Sequence, residues 1–362
     1  MGLPQIQIDF TSKATTAIKR SAMGVVALIL RDDTATGKAG VTTIQSIEQI
    51  TASQWTAQNV KYINHALLGT PSKLIIVRVV TATPVADALK QLANVKFNYL
   101  AMPDAVEQTG EGDNLKKEIS AIATWIKEKR KNERKTFKAV LGSFKADDEG
   151  IINFTTKDIV AGDGTFNPQQ FTSRIAGILA GLPFSRSATY YVLPEVTQIT
   201  DHATPDADIE AGQLILINDG ANIKIGRGVN SLTTVTGGKS EEFKKIKVVE
   251  IMDMIKDDIR DTFDSEYIGK VLNTYDNQVL FFTSVNAYLK SLAADDILDP
   301  SFNNNINVDV NAQRLAWEGV GVDTTEWDDL KVKNMAFRSN VFAAGNVKIT
   351  DAVEDLKLEI VI

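Results

Sequence analysis

The chain has 362 residues, of which 44% are apolar and 23% charged, as expected of a globular protein with two or three domains. Its net charge of −7 argues against a nucleic-acid partner. The lack of cysteine excludes disulfides, thiol catalysis and cysteine metal sites, and is consistent with assembly in a reducing cytoplasm. No apolar run approaches the roughly 18 residues of a membrane span, and no secretory signal is predicted.

The first part of the chain combines strand and helix patterns. Residues 3–10 (LPQIQIDF) alternate apolar and polar side chains, which predicts a strand, and 11–21 follow as a polar linker. MGVVALIL (23–30) predicts a buried strand, and TAQNVKYINHALLG (56–69) predicts a helix. KLIIVRVV (73–80) is typical of a strand buried on both faces.

The middle of the chain alternates strands with helices, which predicts an α/β layer. The predicted strands are 96–102, 137–143 and 189–193, and the predicted helices are 115–130 and 167–183. In the second helix we expect Asn167 as the N-cap and Pro168 at the first helical position.

The remaining segments are shorter and more mixed. Strands are predicted at 213–217, 222–225, 229–235 and 356–362, helices at 241–263, 278–298, 310–319 and 324–334, and a hairpin at 337–350.

The segment GRGVNSLTTVTGGKS (226–240) ends like a phosphate-binding loop. The complete motif requires a glycine five positions before Gly238, and that position is Thr233. The β-branched residues before the glycines are typical of a strand that runs into a turn. A nucleotide-binding enzyme that uses Lys239 remains an alternative, as does a small-molecule or protein-binding α/β module.

Other polar clusters predict no catalytic, metal or cofactor site. PDADIEAG (205–212) resembles the start of a calcium loop, but Ile217 occupies the place of the closing glutamate, so a solvated turn is predicted. His65 and His202 lack catalytic partners at a recognised spacing and are predicted to be structural or surface residues. The basic run KEKRKNERK (127–135) is predicted to be a solvated helix end.

Both ends of the chain carry strand patterns. The backbone groups of a terminal strand need a sheet edge, and an edge on a neighbouring copy links the two copies by strand donation. A head-to-tail link that does not close builds a helical assembly. The residues predicted to take part are Ile6, Ile8, Phe10, Leu358, Ile360 and Ile362.

The order of these segments resembles the tail sheath proteins of contractile bacteriophage tails, including those of defective prophages and R-type bacteriocins of Gram-positive bacteria. The resemblance runs from about residue 18 to the end. It rests on SAMGVVALIL (21–30), LLGTPSKLIIVRV (67–79), INDGANIKIGRGVNSLTT (217–234), FKKIKVVEIMDMIKDDI (243–259) and VFAAGNVKITDAVEDLKLEIVI (341–362). In such sheaths GRGVNSLTT is a structural strand and turn, here with Ser231 in place of the usual threonine.

The resemblance implies a multi-domain tail-sheath fold with an α/β middle layer and a C-terminal α+β domain that bears terminal strand arms. The implied segments are an N-terminal arm and linker (1–20), a sheath core in two parts (21–85 and 201–265), an α/β subdomain (86–200), a C-terminal tube-facing domain (266–350) and a C-terminal strand arm (351–362).

The resemblance also implies a structural, non-enzymatic function. Stacked hexameric rings would form a helical tube around an inner tail tube and contract to drive that tube through a target cell envelope. The implied partners are further copies, the inner tail tube protein, and baseplate and tail terminator proteins, with neither nucleic acid nor membrane insertion. Assembly is expected in the bacterial cytoplasm, and the sequence leaves open whether the particle is a phage tail or a bacteriocin.

Family members bind the tube through their C-terminal domain. The candidate tube contacts here are Lys331, Lys333 and Arg338, around the end of the 324–334 helix. A solvated helix end is the alternative interpretation of these cations.

Overall fold

The computed structural model of the chain describes Ile18 and residues 24–107 and 117–361. The chain divides into two compact units. Among the described residues, the larger unit contains 24–253 and 351–361, and the smaller unit contains Ile18 and 254–350. The six-segment division implied by the family resemblance remains a prediction.

The larger unit contains most of the regular structure. Its strands are β1 (Val25–Arg31), β2 (Gly40–Ile44), β3 (Lys73–Val79), β4 (Tyr99–Ala101), β5 (Lys138–Gly142), β6 (Ile151–Phe154), β7 (Ile159–Ala161), β8 (Gly164–Phe166), β9 (Val196–Gln198), β10 (Gln213–Leu214), β11 (Leu216–Asn218) and β12 (Ile223–Ile225). Its helices are α1 (Ala57–Leu67), α2 (Val85–Leu92), α3 (Glu118–Asn132), α4 (Thr172–Gly181) and α5 (Pro205–Glu210), and the unit ends within α6 (Ile246–Glu266).

Seven strands form one sheet in the order β10-β6-β5-β4-β1-β3-β2, in which only the β2–β3 pair is antiparallel. Because side chains alternate between the faces of a strand, a strand buried on both faces reads as a continuous apolar run. In β1, Leu28 and Leu30 therefore enter one core while Ala27 and Ile29 enter the other. Side chains of α1 and α4 fill the first core, and those of α2 and α3 fill the second. The predicted α/β layer is confirmed.

Helices α1 and α4 approach closely because glycines lie where they meet. A Cβ atom at Gly177 would lie 2.1 Å from the carbonyl oxygen of Ala66. A Cβ atom at Gly69 would lie 2.0 Å from the carbonyl carbon of Gly177. Gly69 therefore ends the predicted 56–69 helix and also makes room for α4.

The smaller unit is α+β. After the end of α6 it contains α7 (Tyr275–Ala294), β13 (Asn305–Val308), α8 (Val310–Glu318), α9 (Asp329–Asn334) and β14 (Ala343–Asn346). β13 and β14 form an antiparallel two-stranded sheet. The Asn286 side chain in α7 accepts a hydrogen bond from the Ile306 amide at 2.7 Å and donates one to its carbonyl at 3.0 Å, so β13 is held against α7.

Two predicted elements begin or pair differently from the sequence expectation. The 167–183 helix begins at Thr172, because 167–171 form a turn in which Asn167 and Gln170 exchange side-chain-to-backbone hydrogen bonds. The 337–350 segment is not a hairpin, since its one strand, β14, pairs with β13 from an earlier part of the chain.

Three predicted strands are absent from the described residues. Segment 189–193 makes a single bridge, from Val192 to Lys224. Segment 229–235 is a loop with one bridge, and residues 356–361 form no strand within this chain. The backbone of 189–193 hydrogen-bonds to β12, and Ser231 donates to Ile151 of β6, but neither segment forms a regular ladder. Residues 356–361 have no strand partner among the described residues.

Candidate functional site

The Gly-Gly-Lys-Ser segment is a turn, and hydrogen bonds and an ion pair hold this region against the loop that contains Asp147 and Glu149. The backbone amides of Thr233 and Thr234 donate to one carboxylate oxygen of Asp147, at 2.7 and 2.8 Å. The Lys239 ammonium lies 2.6 Å from a carboxylate oxygen of Glu149. The lysine that a phosphate loop would direct at a nucleotide is thus neutralised by this chain, and the strand that should precede the loop is missing.

The two histidines occupy structural positions. His65 is buried in α1, beside the Asp163 carboxylate at 3.0 Å and the rings of Phe166 and Phe171. Burial lowers the His65 pKa, against the opposing effect of Asp163, so the neutral imidazole is favoured. His202 Nδ1 lies 2.8 Å from Asp208 of α5, the short helix formed by the segment that resembled a calcium loop.

No group of three or more His, Cys, Asp or Glu side chains in the described ranges is arranged to hold a metal ion. Within the same residues, no helix is long and apolar enough to cross a membrane.

A buried charge network lies between α3, β5 and the start of α6. Lys138 is 1% exposed, and its ammonium lies 3.0 Å from Asp253 and 3.3 Å from Glu250. The Arg130 guanidinium binds the same Asp253 carboxylate through two contacts, of 2.9 and 3.2 Å. For Arg130, the prediction that the 127–135 run is a solvated helix end is therefore wrong. The sequence signal that was missed is a lysine within an apolar strand.

The C-terminal arm is the most exposed apolar segment of the described chain. Leu356, Leu358, Ile360 and Val361 are between 70% and 88% exposed. Residues 356–361 make no hydrogen bond or ion pair with any described residue. Of the other predicted strand-pairing residues, Ile6, Ile8, Phe10 and Ile362 lie outside the described residues.

A two-stranded sheet with one exposed, open edge lies in the smaller unit. All four residues of β14 are exposed, and β13–β14 has no third strand among the described residues. On the β13 side, Asn286 of α7 bonds the outward-facing N–H and C=O of Ile306, so the open edge of backbone N–H and C=O groups lies along β14.

The three predicted tube contacts lie on and after α9. The Asp328 side chain caps α9 by accepting from the Lys331 amide at 2.7 Å, and the exposed Lys331 ammonium lies 5.1 Å from the Trp327 ring. Lys333 is half-buried in the last turn of the helix. Arg338 is exposed, has a φ of 48°, and lines a groove of about 430 Å³ whose other walls include Phe263, Tyr267 and Phe281.

Comparisons with known proteins cover nearly the whole chain. Residues 78–231 match the family described as phage tail sheath protein central domain, and 238–362 match the phage tail sheath C-terminal domain. The tail sheath protein of Clostridium phage phiCD119 is 38% identical over 369 aligned positions, which cover 99% of each chain.

Solved structures show the same fold at low sequence identity. A sheath tail protein from Listeria innocua superposes with a TM-score of 0.68 and 16% identity, covering 93% of this chain and 94% of the other. The helical sheath of the anti-feeding prophage in its contracted state gives a TM-score of 0.70 at 12% identity, covering 100% and 99%.

Proposed function

We propose, from the premise that this chain belongs to the phage tail sheath proteins, that its copies stack as hexameric rings into a helical tube around an inner tail tube. The family relationship predicted from the sequence is confirmed, and the chain is a structural subunit of a contractile tail sheath. The alternative of an enzyme that binds a nucleotide through Lys239 has no support from the relatives or from the geometry of the loop.

The observation that carries the proposal is the exposed C-terminal arm. In an isolated chain, the exposed side chains of Leu356, Leu358 and Ile360 contribute no hydrophobic stabilisation, and their segment has no strand partner among the described residues. Paired with a sheet edge on a neighbouring copy, the same segment would satisfy its backbone groups and bury its apolar side chains. Each backbone bond contributes about 1 kcal/mol net, so several in a row plus side-chain burial suffice to link two subunits.

The acceptor that fits this arm is the β13–β14 sheet. It offers one open edge, along β14, whose side chains are exposed, whereas the outer edge of β13 is covered by α7 through Asn286. β14 is the strand of the 337–350 segment, for which the sequence predicted a hairpin. Donated strands 356–362 and 3–10 from neighbouring copies would extend the sheet outward from the β14 edge.

Contraction of the sheath would drive the inner tail tube through a target cell envelope. The energy would come from a second, more stable packing of the same subunits, because two arrangements of one set of interfaces are sufficient for such a switch. Lys331, Lys333 and Arg338 are proposed to contact the inner tube. Baseplate and tail terminator proteins would bind the ends of the sheath, and assembly would take place in the bacterial cytoplasm, giving a phage tail or a bacteriocin particle.

Deletion of 356–362 tests the proposal. Negative-stain microscopy of the intact chain should reveal long tubes, whereas the truncated chain should remain monomeric with an unchanged circular dichroism spectrum. Normal tubes from the truncated chain would exclude arm donation. A truncated chain that does not fold would assign the arm to the core of its own subunit.

Absence of catalysis is part of the same proposal. ATP hydrolysis by the purified chain should equal that of the Lys239→Ala variant, since Lys239 is paired with Glu149. Hydrolysis that the substitution abolishes would restore the enzyme alternative.

A further inference from the structure

The last eleven described residues divide into two parts with opposite behaviour. Residues 351–355 (DAVED) carry three acidic side chains that bind the larger unit, whereas 356–361 make no polar contact with the described residues. The change occurs between Asp355 and Leu356. The arm therefore has a fixed root and a free end.

Glu354 is the centre of the root. One of its carboxylate oxygens accepts hydrogen bonds from the hydroxyls of Ser187 and Thr189, at 3.0 and 2.6 Å. The other oxygen lies 3.9 Å from both Arg227 Nε and Lys245 Nζ. The Glu354 side chain is only 7% exposed, although it lies one residue beyond Val353, which is 96% exposed.

The flanking carboxylates complete the contact. Asp351 forms an ion pair with Lys245, and Asp355 lies 2.5 Å from Arg227. Lys247 interacts electrostatically with Asp351 and Glu354 and is 8% exposed; burial lowers its pKa, while the two carboxylates oppose that shift. Basic and hydroxyl side chains from three separate parts of the larger unit thus converge on one five-residue acidic segment.

We propose that residues 351–355 are an electrostatic clamp that sets the length of the inter-subunit link, and that the clamp opens when neighbouring subunits move apart. With the clamp closed, the free arm is the seven residues 356–362, which span about 24 Å when fully extended. With the clamp open, the free arm is the twelve residues 351–362, which span about 40 Å.

The ion pairs of the clamp are weak enough for the contact to open. Its outer ion pairs are partly exposed, and such pairs contribute little individually and are screened by salt. Only Glu354 is well buried, so the contact depends on one carboxylate. The effect of the clamp on the sheath rests on the proposed function. The clamp contact itself lies within one subunit and can be tested there.

The absence of cysteine makes the test direct. Val353→Cys and Ala221→Cys, both exposed and both in the larger unit, would carry nitroxide labels for a distance measurement by pulsed electron paramagnetic resonance. The otherwise unchanged chain should give one narrow distance distribution. The Asp351→Asn/Glu354→Gln variant, and the stronger Glu354→Ala, should broaden the distribution and extend it by up to about 10 Å, the extended length of the three residues 351–353 that then tether the label.

The matched control is Glu359→Gln, which removes an acidic charge from the free arm and should leave the distribution narrow. A narrow distribution in both clamp variants, or a broad one in the unsubstituted background, would overturn the clamp. These measurements need no polymer, so failure of the chain to form tubes would refute the proposed function and leave the clamp result standing.

The switch is tested in assembled tubes in which labelled subunits are diluted with unlabelled ones. The 221–353 distribution should differ between extended and contracted tubes, narrow in one state and lengthened in the other. An identical narrow distribution in both states would show that the clamp never opens and would overturn the length change.

Discussion

Replacing Asp253 should destabilise the larger unit more than any substitution of an exposed acid. Its carboxylate is the shared partner of Lys138 and Arg130, which are 1% and 14% exposed. Burial raises the Asp253 pKa, but the two cations lower it more, so the pKa lies below its ordinary value. Asp253→Ala would remove the carboxylate that both cations share and leave only the longer contacts of Lys138 with Glu250, at 3.3 Å, and of Arg130 with Glu149, at 4.0 Å.

The size of the effect follows from the cost of an unpaired buried charge. Removing one partner of a buried ion pair costs about 3–5 kcal/mol. For a unit of this size, 1 kcal/mol shifts the unfolding temperature by about 2–4 °C, so Asp253→Ala should lower it by about 6–20 °C. Asp253→Asn should cost less, because the amide oxygen still accepts from one of the cations.

Thermal unfolding followed by circular dichroism measures the shift, with Asp264→Asn, an exposed acid of the same helix, as the control. A lowered carboxylate pKa gives stability that is present above the unfolded pKa and lost as pH falls through the folded pKa. The difference between the unsubstituted chain and Asp253→Asn should therefore shrink on acidification below about pH 4. An Asp253→Ala variant that melts with the control at neutral pH would refute this account of the network.

Two further outcomes are expected. Lys331→Glu/Lys333→Glu should reduce co-sedimentation with the inner tube protein while the circular dichroism spectrum is unchanged, and undiminished co-sedimentation would remove these lysines from the tube contact. Gly177→Ala should lower the unfolding temperature although helix propensity alone favours alanine by about 1 kcal/mol, because the added Cβ would lie 2.1 Å from the Ala66 carbonyl oxygen. Gly162→Ala, where the Cβ meets nothing within 4 Å, is its control and should be close to neutral.

The sequence predicted correctly those helices and strands that have a clear pattern of apolar residues of their own. β1 and β3 were predictable because strands buried on both faces need an unbroken apolar run, and α1 and α3 because their apolar residues recur at helical spacing. The α/β class followed from the alternation of these elements.

Elements that depend on distant partners were not predictable in the same way. The β-branched 229–235 segment is a loop because the Asp147 carboxylate accepts hydrogen bonds from two of its backbone amides. Those two amides therefore do not need a strand partner. The 337–350 hairpin fails because β14 pairs with β13, more than thirty residues earlier in the chain. Local propensity reports only how well a residue suits a strand and is silent on which strand it joins.

The candidate assembly residues also show that a strand pattern does not identify the partner of the strand. The alternation in 356–362 predicts a strand, yet residues 356–361 form none in the single chain, and their apolar side chains remain exposed. The 356–361 segment has a strand pattern but no strand partner among the described residues, and the β14 edge of the two-stranded sheet is open, so each could supply what the other lacks. In a protein that acts alone, both would promote aggregation. In a chain whose relatives are tail sheaths, repeating the same segment and the same edge on every copy gives each subunit a donor for one neighbour and an acceptor for another, which is the condition for an open helical polymer.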